Sequence, residues 1–242
     1  MPKHNRFRVL ALCCASQQRA VAIATGAEPY ISPPASYDTF KLGEQLRTRG
    51  PFDLLYLSLH GYPDVPYLIG DQGLPAVSTA DFQGIDLSNT VVFSASCHFT
   101  ETPFVSAILA CNPKLLIGGP GRNYTRSLSI VGANLLGHLF RRALQHNYPA
   151  HLAFLIAKSA LNIRTYRLKK RKDQLPPPDH SDDRTYNLHL KLAEDIYANL
   201  DALKFHPIQA TVPGTDRTPD QCQRLTPLNP DPITKRKEPH AT

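Results

Sequence analysis

The chain has 242 residues, 42% of them hydrophobic and 19% charged, which is enough apolar content for one ordinary globular domain or two small ones. No apolar run approaches the ~20 residues needed to cross a bilayer, so a membrane-spanning protein is excluded. The net charge is +7, but six of these charges lie between Arg164 and Lys172, where there is no acidic residue. The rest of the chain is nearly neutral, so its charge does not favour a general nucleic-acid-binding surface.

Cysteine usage favours a reducing compartment. The five cysteines are an odd number, and their spacing matches neither a C-x-x-C pair nor a zinc-ligand pattern. We therefore expect free thiols, a cytoplasmic chain, and no metal or other cofactor. The apolar run at residues 9–15 follows a basic start, but it is short for a secretory signal. We interpret it as a buried first strand.

Short apolar runs and helical patterns alternate along the chain. Strands are predicted at residues 7–15, 20–25, 52–59, 90–96 and 114–118. Helices are predicted at residues 38–49 (capped by Ser36 and ended by Gly50-Pro51), 102–111 (started by Thr102-Pro103), 128–146, 149 into the basic run, and 183–204. The polar segment between residues 61 and 87 is predicted to be a loop.

Three of the predicted strands are apolar at successive positions, which is typical of strands buried on both faces. Together with the helices between them, they predict an α/β fold with a mainly parallel central sheet and helices on both sides. We assign residues 1–206 to this domain. Residues 207–242 hold seven prolines in 36 positions, and we predict that they form a disordered C-terminal tail.

Two reactive side chains directly follow predicted buried strands. His60 comes after the strand at 52–59, and Cys97 after the strand at 90–96. The carboxyl ends of parallel strands share one edge of an open α/β sheet, where ligands bind, so we expect both side chains at that edge. A nearby imidazole activates a thiol as a nucleophile and later protonates a leaving amine. The Gly61 and Cys97 amides are then candidates for an oxyanion hole.

The segments around these residues resemble a known family. The sequences Leu57-Ser58-Leu59-His60-Gly61, Ile85-Asp86-Leu87 and Val91-Val92-Phe93-Ser94-Ala95-Ser96-Cys97 are similar to the CHAT branch of the caspase-like cysteine peptidases. The order of helices and strands fits that family over about residues 50–162. The resemblance implies a caspase-like three-layer sandwich with a His60–Cys97 dyad. It also implies a cysteine endopeptidase that hydrolyses peptide bonds of protein substrates.

The sequence departs from the family at the nucleophile. Ala95 and Ser96 precede Cys97, instead of the Gln-Ala of true caspases, and His60 lies 37 positions upstream where caspases have ~50. Relatives that cleave after Arg or Lys often have an acidic residue just before the cysteine, and none is present here. His98 adjoins the nucleophile, and we expect it to support the site and not to act as the base.

Substrate preference and regulation stay open at this point. Asp71, Asp81 or Glu101 could line a pocket for a basic substrate side chain, whereas Arg122 could receive an acidic one. The family often carries repeat or sensor domains, and the 242 residues show none. We therefore expect a protein or peptide substrate together with a regulatory protein partner.

The alternative to an enzyme is a catalytically inactive scaffold that docks a partner through its basic segment or its C-terminal helix. The basic run at residues 164–172 fits three interpretations: the solvated end of a helix, a patch for nucleic acid or an acidic partner, or an exposed site for proteolytic processing. Only Tyr166 could stack on a base, so nucleic acid is not the favoured partner.

Overall fold

The computed structural model describes residues 7–32, 41–123, 130–178 and 183–208. The strands in these segments are β1 (Val9–Cys13), β2 (Tyr30–Ile31), β3 (Leu54–Ser58), β4 (Tyr67–Ile69), β5 (Pro75–Ser78), β6 (Val91–Ser94), β7 (Leu115–Gly118) and β8 (His206–Ile208). Six of them form one sheet in the order β2-β1-β3-β6-β7-β8, in which only β8 runs antiparallel to its neighbour. Strands β4 and β5 form a separate antiparallel hairpin.

Helices cover both faces of the sheet. They are α1 (Gln18–Thr25), α2 (Leu42–Arg49), α3 (Phe104–Leu109), α4 (Gly132–Gln145), α5 (Ala150–Asp173) and α6 (Asp183–Ala202). Helices α1, α4, α5 and α6 share one apolar core, and α2, α3 and the hairpin share the other. The predicted fold class is therefore confirmed as an α/β domain of three layers with a mainly parallel central sheet.

The strands supply both cores because successive side chains point to opposite faces. In β3, Tyr56 packs into the first core, whereas Leu55 and Leu57 pack into the second. Phe93 on β6 stacks on the Tyr56 ring at 5.2 Å and on the Phe205 ring at 5.8 Å between ring centroids. Burial on both faces explains why both strands are apolar at successive positions up to their final serines. Strands β3 and β6 pair directly, from Leu54 opposite Val91 to Leu57 opposite Ser94.

Helix α1 corrects one prediction. Residues 20–25 were expected to form a strand, but they lie in a helix that ends at Gly26, which has a φ of 66°. A short apolar run does not distinguish a strand from a helix by its periodicity, and the alanines at 20, 22 and 24 favour a helix. Ala20, Val21 and Ala24 are buried, at the spacing of one helix face.

The segment between residues 61 and 87 is not only a loop. It contains the hairpin of β4 and β5 and two short 3-10 turns, Asp71–Gly73 and Thr79–Phe82. Only Leu68 of β4 and Val77 of β5 are fully buried in the hairpin, so the alternation that marks a strand is weak there. The basic run at 164–172 lies within α5 and not between helices.

Several predicted boundaries shift by a few residues. Helix α3 starts at Phe104 after a 3-10 turn at Phe99–Glu101, so Pro103 is the N-cap residue and not the first helical residue. Ser36, the expected cap of α2, lies outside the described residues. Strand β8 begins at the predicted domain boundary, and the predicted tail beyond Ile208 also lies outside them. Every helix in the described segments is too short or too polar to span a bilayer.

Candidate active site

The carboxyl ends of β3 and β6 lie next to each other. The two strands pair in parallel with Leu57 opposite Ser94, so His60 and Cys97 each follow three residues beyond the last matched pair. Two further hydrogen bonds continue this pairing: the Ala95 N–H donates to the Leu57 carbonyl (2.7 Å), and the Leu59 N–H donates to Oγ of Ser96 (3.2 Å). The predicted shared edge for the two residues is therefore present in the backbone.

Gly61 packs directly against the backbone of Cys97. A Cβ at position 61 would lie 2.0 Å from the carbonyl oxygen of Cys97, a distance that no side chain tolerates. Glycine is therefore required here because of a close approach of two backbone segments, and not because of a positive φ. The contact brings the His60-Gly61 peptide beside Cys97.

The hairpin holds the backbone of His60. The His60 N–H donates to the Ile69 carbonyl over 2.9 Å, and the Ile69 N–H donates to the His60 carbonyl over 2.8 Å. Both backbone groups of His60 are thus used, while the residue itself is exposed. This second support was not predicted from the sequence, because it comes from a hairpin that was expected to be a loop.

Cys97 is partly exposed, and Asn123 is its nearest described partner. The Asn123 N–H donates to Sγ of Cys97 over 3.2 Å, and Sγ lies 3.7 Å from the Asn123 carbonyl oxygen. The Asn123 side-chain amide donates to the carbonyls of Ala95 (3.1 Å) and Ser96 (2.9 Å). Within the described contacts, Sγ of Cys97 meets Asn123 and forms no hydrogen bond with the His60 imidazole.

Sequence reasoning missed Asn123. It follows the Gly118-Gly119-Pro120-Gly121 turn at the end of β7, and β7 is the neighbour of β6 in the sheet. The rule that selected His60 and Cys97, that functional residues lie just beyond the carboxyl ends of parallel strands, applies equally to this position. A lone asparagine carries no motif, and so only the neighbouring Arg122 was considered.

His98 and Glu101 form a second polar cluster beside Cys97. His98 has a φ of 50° and lies in the turn that follows the end of β6. Its Nδ1 is 2.8 Å from a Glu101 carboxylate oxygen, whose partner oxygen accepts the Gly121 N–H over 2.9 Å. These two hydrogen bonds, first that of His98, hold the pKa of Glu101 below its ordinary value.

The charged candidates for a substrate pocket differ in their contacts. Asp71 accepts the Ala15 N–H over 2.9 Å, and Asp81 caps its own turn by accepting the Ser78 N–H over 2.8 Å. The Glu101 carboxylate contacts His98 and accepts the Gly121 N–H, as described above. Arg122 is exposed and adjoins Asn123, and its guanidinium forms no ion pair within the described segments.

The candidate oxyanion donors are the amides of Gly61 and Cys97. Neither N–H donates a hydrogen bond to any group in the described part of the chain. Gly61 is buried, and an unused N–H in such a position is rare in folded proteins. The unused N–H of buried Gly61, in a residue packed against Cys97, fits a site that binds an oxygen of a ligand.

The other described cysteines differ from Cys97. Cys13, Cys14 and Cys111 are buried, whereas Cys97 is partly exposed. Burial is the largest cause that raises the pKa of Cys13 and of Cys14 to about 12, and it also raises the pKa of Cys111. These three thiols stay protonated and shielded near neutral pH, so Cys97 is the described cysteine open to reaction.

Neither a search for a metal site nor comparison with known proteins indicates a function for this site. Within the residues that the structure describes, no group of three or more His, Cys, Asp or Glu side chains could hold a metal ion. No protein-family model matches the chain, and no curated protein matches it at a significant level.

Proposed function

We propose that the chain is a cysteine endopeptidase of the caspase-like type, with Cys97 as the nucleophile and His60 as general base and then general acid. The observation that carries this proposal is the packing of Gly61 against the Cys97 carbonyl, because it puts a histidine and a half-exposed cysteine at one edge of the sheet. The substrate is a protein or peptide. Free thiols among the described cysteines support a reducing, cytoplasmic setting.

The proposed reaction has two steps. His60 takes the thiol proton, and Sγ of Cys97 attacks the carbonyl carbon of the scissile peptide, whose π electrons move to the oxygen. The Gly61 and Cys97 N–H groups donate to that oxyanion. The C–N bond then breaks as His60 gives its proton to the leaving amine. In the second step, His60 deprotonates water, which attacks the thioester carbonyl; the C–S bond breaks, the acid product leaves, and His60 returns the proton to Sγ of Cys97.

Attack requires a change at both side chains. Sγ of Cys97 is in contact with Asn123 and must turn towards the substrate, while the exposed His60 imidazole must approach it. Catalytic hydrogen bonds are often long before a substrate binds, so this arrangement is compatible with a dyad.

The test is cleavage of a peptide library by the purified chain, followed by mass spectrometry. We expect Cys97→Ser and His60→Ala each to lower kcat/KM by at least a hundredfold. His146→Ala replaces an exposed histidine after α4 and serves as the matched control, with unchanged activity. Cleavage that persists in Cys97→Ser would exclude the proposed nucleophile.

A second candidate is a catalytically inactive scaffold with the same fold. The observation in its favour is that Sγ of Cys97 is in contact with Asn123 and not with His60. A peptidyl acyloxymethyl ketone, which alkylates active cysteine peptidases, separates the two. An enzyme is labelled at Cys97, and His60→Ala slows labelling at least tenfold, whereas a scaffold reacts equally slowly with and without His60.

A further inference from the structure

Helix α5 has two apolar faces on opposite sides. The buried face consists of Ala150, Ala153, Phe154, Ala157, Leu161 and Thr165. The other face, here called the outer stripe, consists of Leu152, Leu155, Ile156, Ile163 and Tyr166, which are 44%, 60%, 38%, 53% and 67% exposed. At about 100° per residue, the outer stripe falls within an arc of roughly 100° opposite the buried face.

The outer stripe runs along one side of the helix in two groups, Leu152, Leu155 and Ile156 and then Ile163 and Tyr166, with Ser159 between them. From Leu152 to Tyr166 it extends about 21 Å, or four turns, and residues three or four apart are neighbours on a helix surface. Single exposed apolar residues are common on soluble proteins, whereas an aligned row of them marks an interaction surface. A helix that only covers a core carries polar residues on its outer side. The outer stripe therefore needs a partner that the core does not supply.

The outer stripe leads directly into concentrated positive charge. The run from Arg164 to Lys172 contains six basic residues, and the single acidic residue of α5 is Asp173. None of the six basic side chains forms an ion pair within residues 7–32, 41–123, 130–178 and 183–208. At about 100° per residue, Lys170 lies within the arc of the outer stripe, and Arg167 and Lys169 lie beside it on either side. This side of the helix is thus apolar from Leu152 to Tyr166 and cationic beyond it.

We propose that the outer stripe and the basic run together bind an amphipathic helix of another protein, one with an apolar face followed by a cluster of acidic residues. A straight apolar ridge of four turns matches the contact length of a packed helix pair. The basic run requires Asp and Glu side chains on the partner, because opposite charges fix the orientation of such a pair.

A second copy of this chain does not have the required charge. Two α5 helices in parallel would bring their basic runs together. In an antiparallel pair, each basic run would lie beside the helix start of the other copy, where the sequence His146-Asn147-Tyr148-Pro149 has no acid and the helix dipole is positive. The chain's own residues 209–242 contain five basic and four acidic residues, interspersed, so they offer no acidic cluster either.

A lipid surface fits less well than a protein. A helix that lies on an anionic membrane has basic side chains along the whole length of its polar face. Between Leu152 and Ile163, Ser159 within the outer stripe and Asn162 beside it are uncharged. The one lysine there, Lys158, donates to the Phe205 carbonyl over 3.0 Å. The charge is confined to one end, as expected for pairing with an acidic segment of a protein.

The test uses the full chain and two synthetic fluorescent peptides. Each is an amphipathic helix with leucines spaced three and four apart, and it ends in either a glutamate cluster or a lysine cluster. We expect the glutamate peptide to bind more tightly by at least tenfold, with an affinity that falls as salt is added. Hydrogen exchange should slow in residues 152–172 when this peptide is bound.

Variants locate the binding surface. Leu155→Ser with Ile163→Ser should weaken binding of the glutamate peptide at least tenfold, whereas Ile23→Ser, an equally exposed residue on α1, should not. Lys169→Glu with Lys170→Glu lowers the charge of the basic run from +6 to +2 and should remove most of the preference for the glutamate peptide. These two lysines are exposed, so this variant keeps the test valid if the serine variants fail to fold.

Three results would overturn the proposal. The first is equal or no binding of the two peptides by the unchanged chain. The second is sedimentation with phosphatidylserine vesicles that the serine variants abolish, which would assign the surface to a membrane. The third is a dimer in sedimentation velocity that the same variants dissociate, which would assign it to a second copy.

Discussion

The N–H of Asn123 donates to Sγ of Cys97, and the side chain of the same residue donates to the carbonyls of Ala95 and Ser96. Asn123 thus connects the end of β7 to the strand end that presents the thiol. It orients the Cys97 segment through two contacts and touches the sulfur through a third. On the proposed function, Asn123 is a positioning residue, because its contacts are with the Cys97 segment and not with the substrate.

Replacement of Asn123 should therefore weaken both the fold and the site. In Asn123→Asp the new carboxylate cannot donate to the two carbonyls, and we expect a loss of about 1–3 kcal/mol in the free energy of unfolding. Peptidase activity should fall at least tenfold, mainly through kcat. Denaturant titration and steady-state kinetics measure both. Asn162→Ala, at an exposed position on α5, is the control and should change neither.

Gly61→Ala should displace the Cys97 segment. The added Cβ would meet the Cys97 carbonyl oxygen at 2.0 Å, so the backbone must move, and we expect a cost of about 1–3 kcal/mol in stability together with a large loss of activity. Gly84→Ala is the matched control. Gly84 has a φ of 68° and open space around it, so alanine there costs about 1–2 kcal/mol without touching the site. Equal activity in the two variants would contradict the proposed role of Gly61.

Cys97 should be the first described cysteine to react with iodoacetamide. It is partly exposed, whereas Cys13, Cys14 and Cys111 are buried and have raised pKa values. In a Cys222→Ser background, mass spectrometry of peptides after brief labelling near pH 7.5 should find modification at Cys97 at least tenfold above the other three. Comparable labelling of Cys13 or Cys14 would mean that the first strand opens readily.

Stability should fall at alkaline pH because of the buried thiols. Burial raises the pKa of Cys13 and of Cys14 from 9.0 to about 12. Between these values the unfolded chain loses protons that the folded chain keeps, so unfolding becomes more favourable as pH rises, by up to about 1.4 kcal/mol per pH unit for each thiol. Below pH 9 this effect is absent. Urea titrations from pH 8 to 11 measure the slope.

Cys14→Ala should make that slope shallower, because one of the two buried thiols is removed. Ser16→Ala changes an exposed residue two positions along and should leave the slope as it is. An unchanged slope in Cys14→Ala would show that the Cys14 thiol ionises in the folded chain as easily as in the unfolded one.

On the proposed function, we expect the Arg122 side chain to favour substrates with an acidic residue at the cleavage position. It is exposed next to Asn123, whereas Asp71, Asp81 and Glu101 each accept a backbone N–H nearby. Arg122→Ala should lower kcat/KM about tenfold for peptides with Asp or Glu there and leave neutral peptides unchanged. A wild-type enzyme that prefers Lys or Arg at this position would contradict the prediction.

The strands that carry the site could be predicted from the sequence because burial on both faces leaves a strong pattern. Leu54–Ser58 and Val91–Ser94 are buried at every position and apolar up to their final serines. Once these strands are recognised, the residues that follow them are located as well. The position of His60 and Cys97 at one edge then follows from the geometry of parallel strands. Nothing beyond local sequence was needed for that step.

The supports of the site could not be predicted in the same way. The hairpin partner of His60 lies in a segment with few buried residues, and Asn123 acts through contacts with residues 26 to 28 positions away. Such contacts depend on the whole sheet being assembled. The strand prediction for residues 20–25 was wrong for a different reason, since six residues are too few to distinguish the periodicity of a helix from that of a strand.

The two outermost strands of the sheet have a consequence for solubility. One edge strand is β2, which has two residues, and the other is β8, which has three, of which Pro207 lacks an N–H. A long, straight edge strand would offer a row of free backbone groups to another molecule, and such rows seed intermolecular sheets. These short edge strands offer few backbone N–H and C=O groups to an incoming chain. They therefore protect this hydrophobic sheet from growing by the addition of further copies.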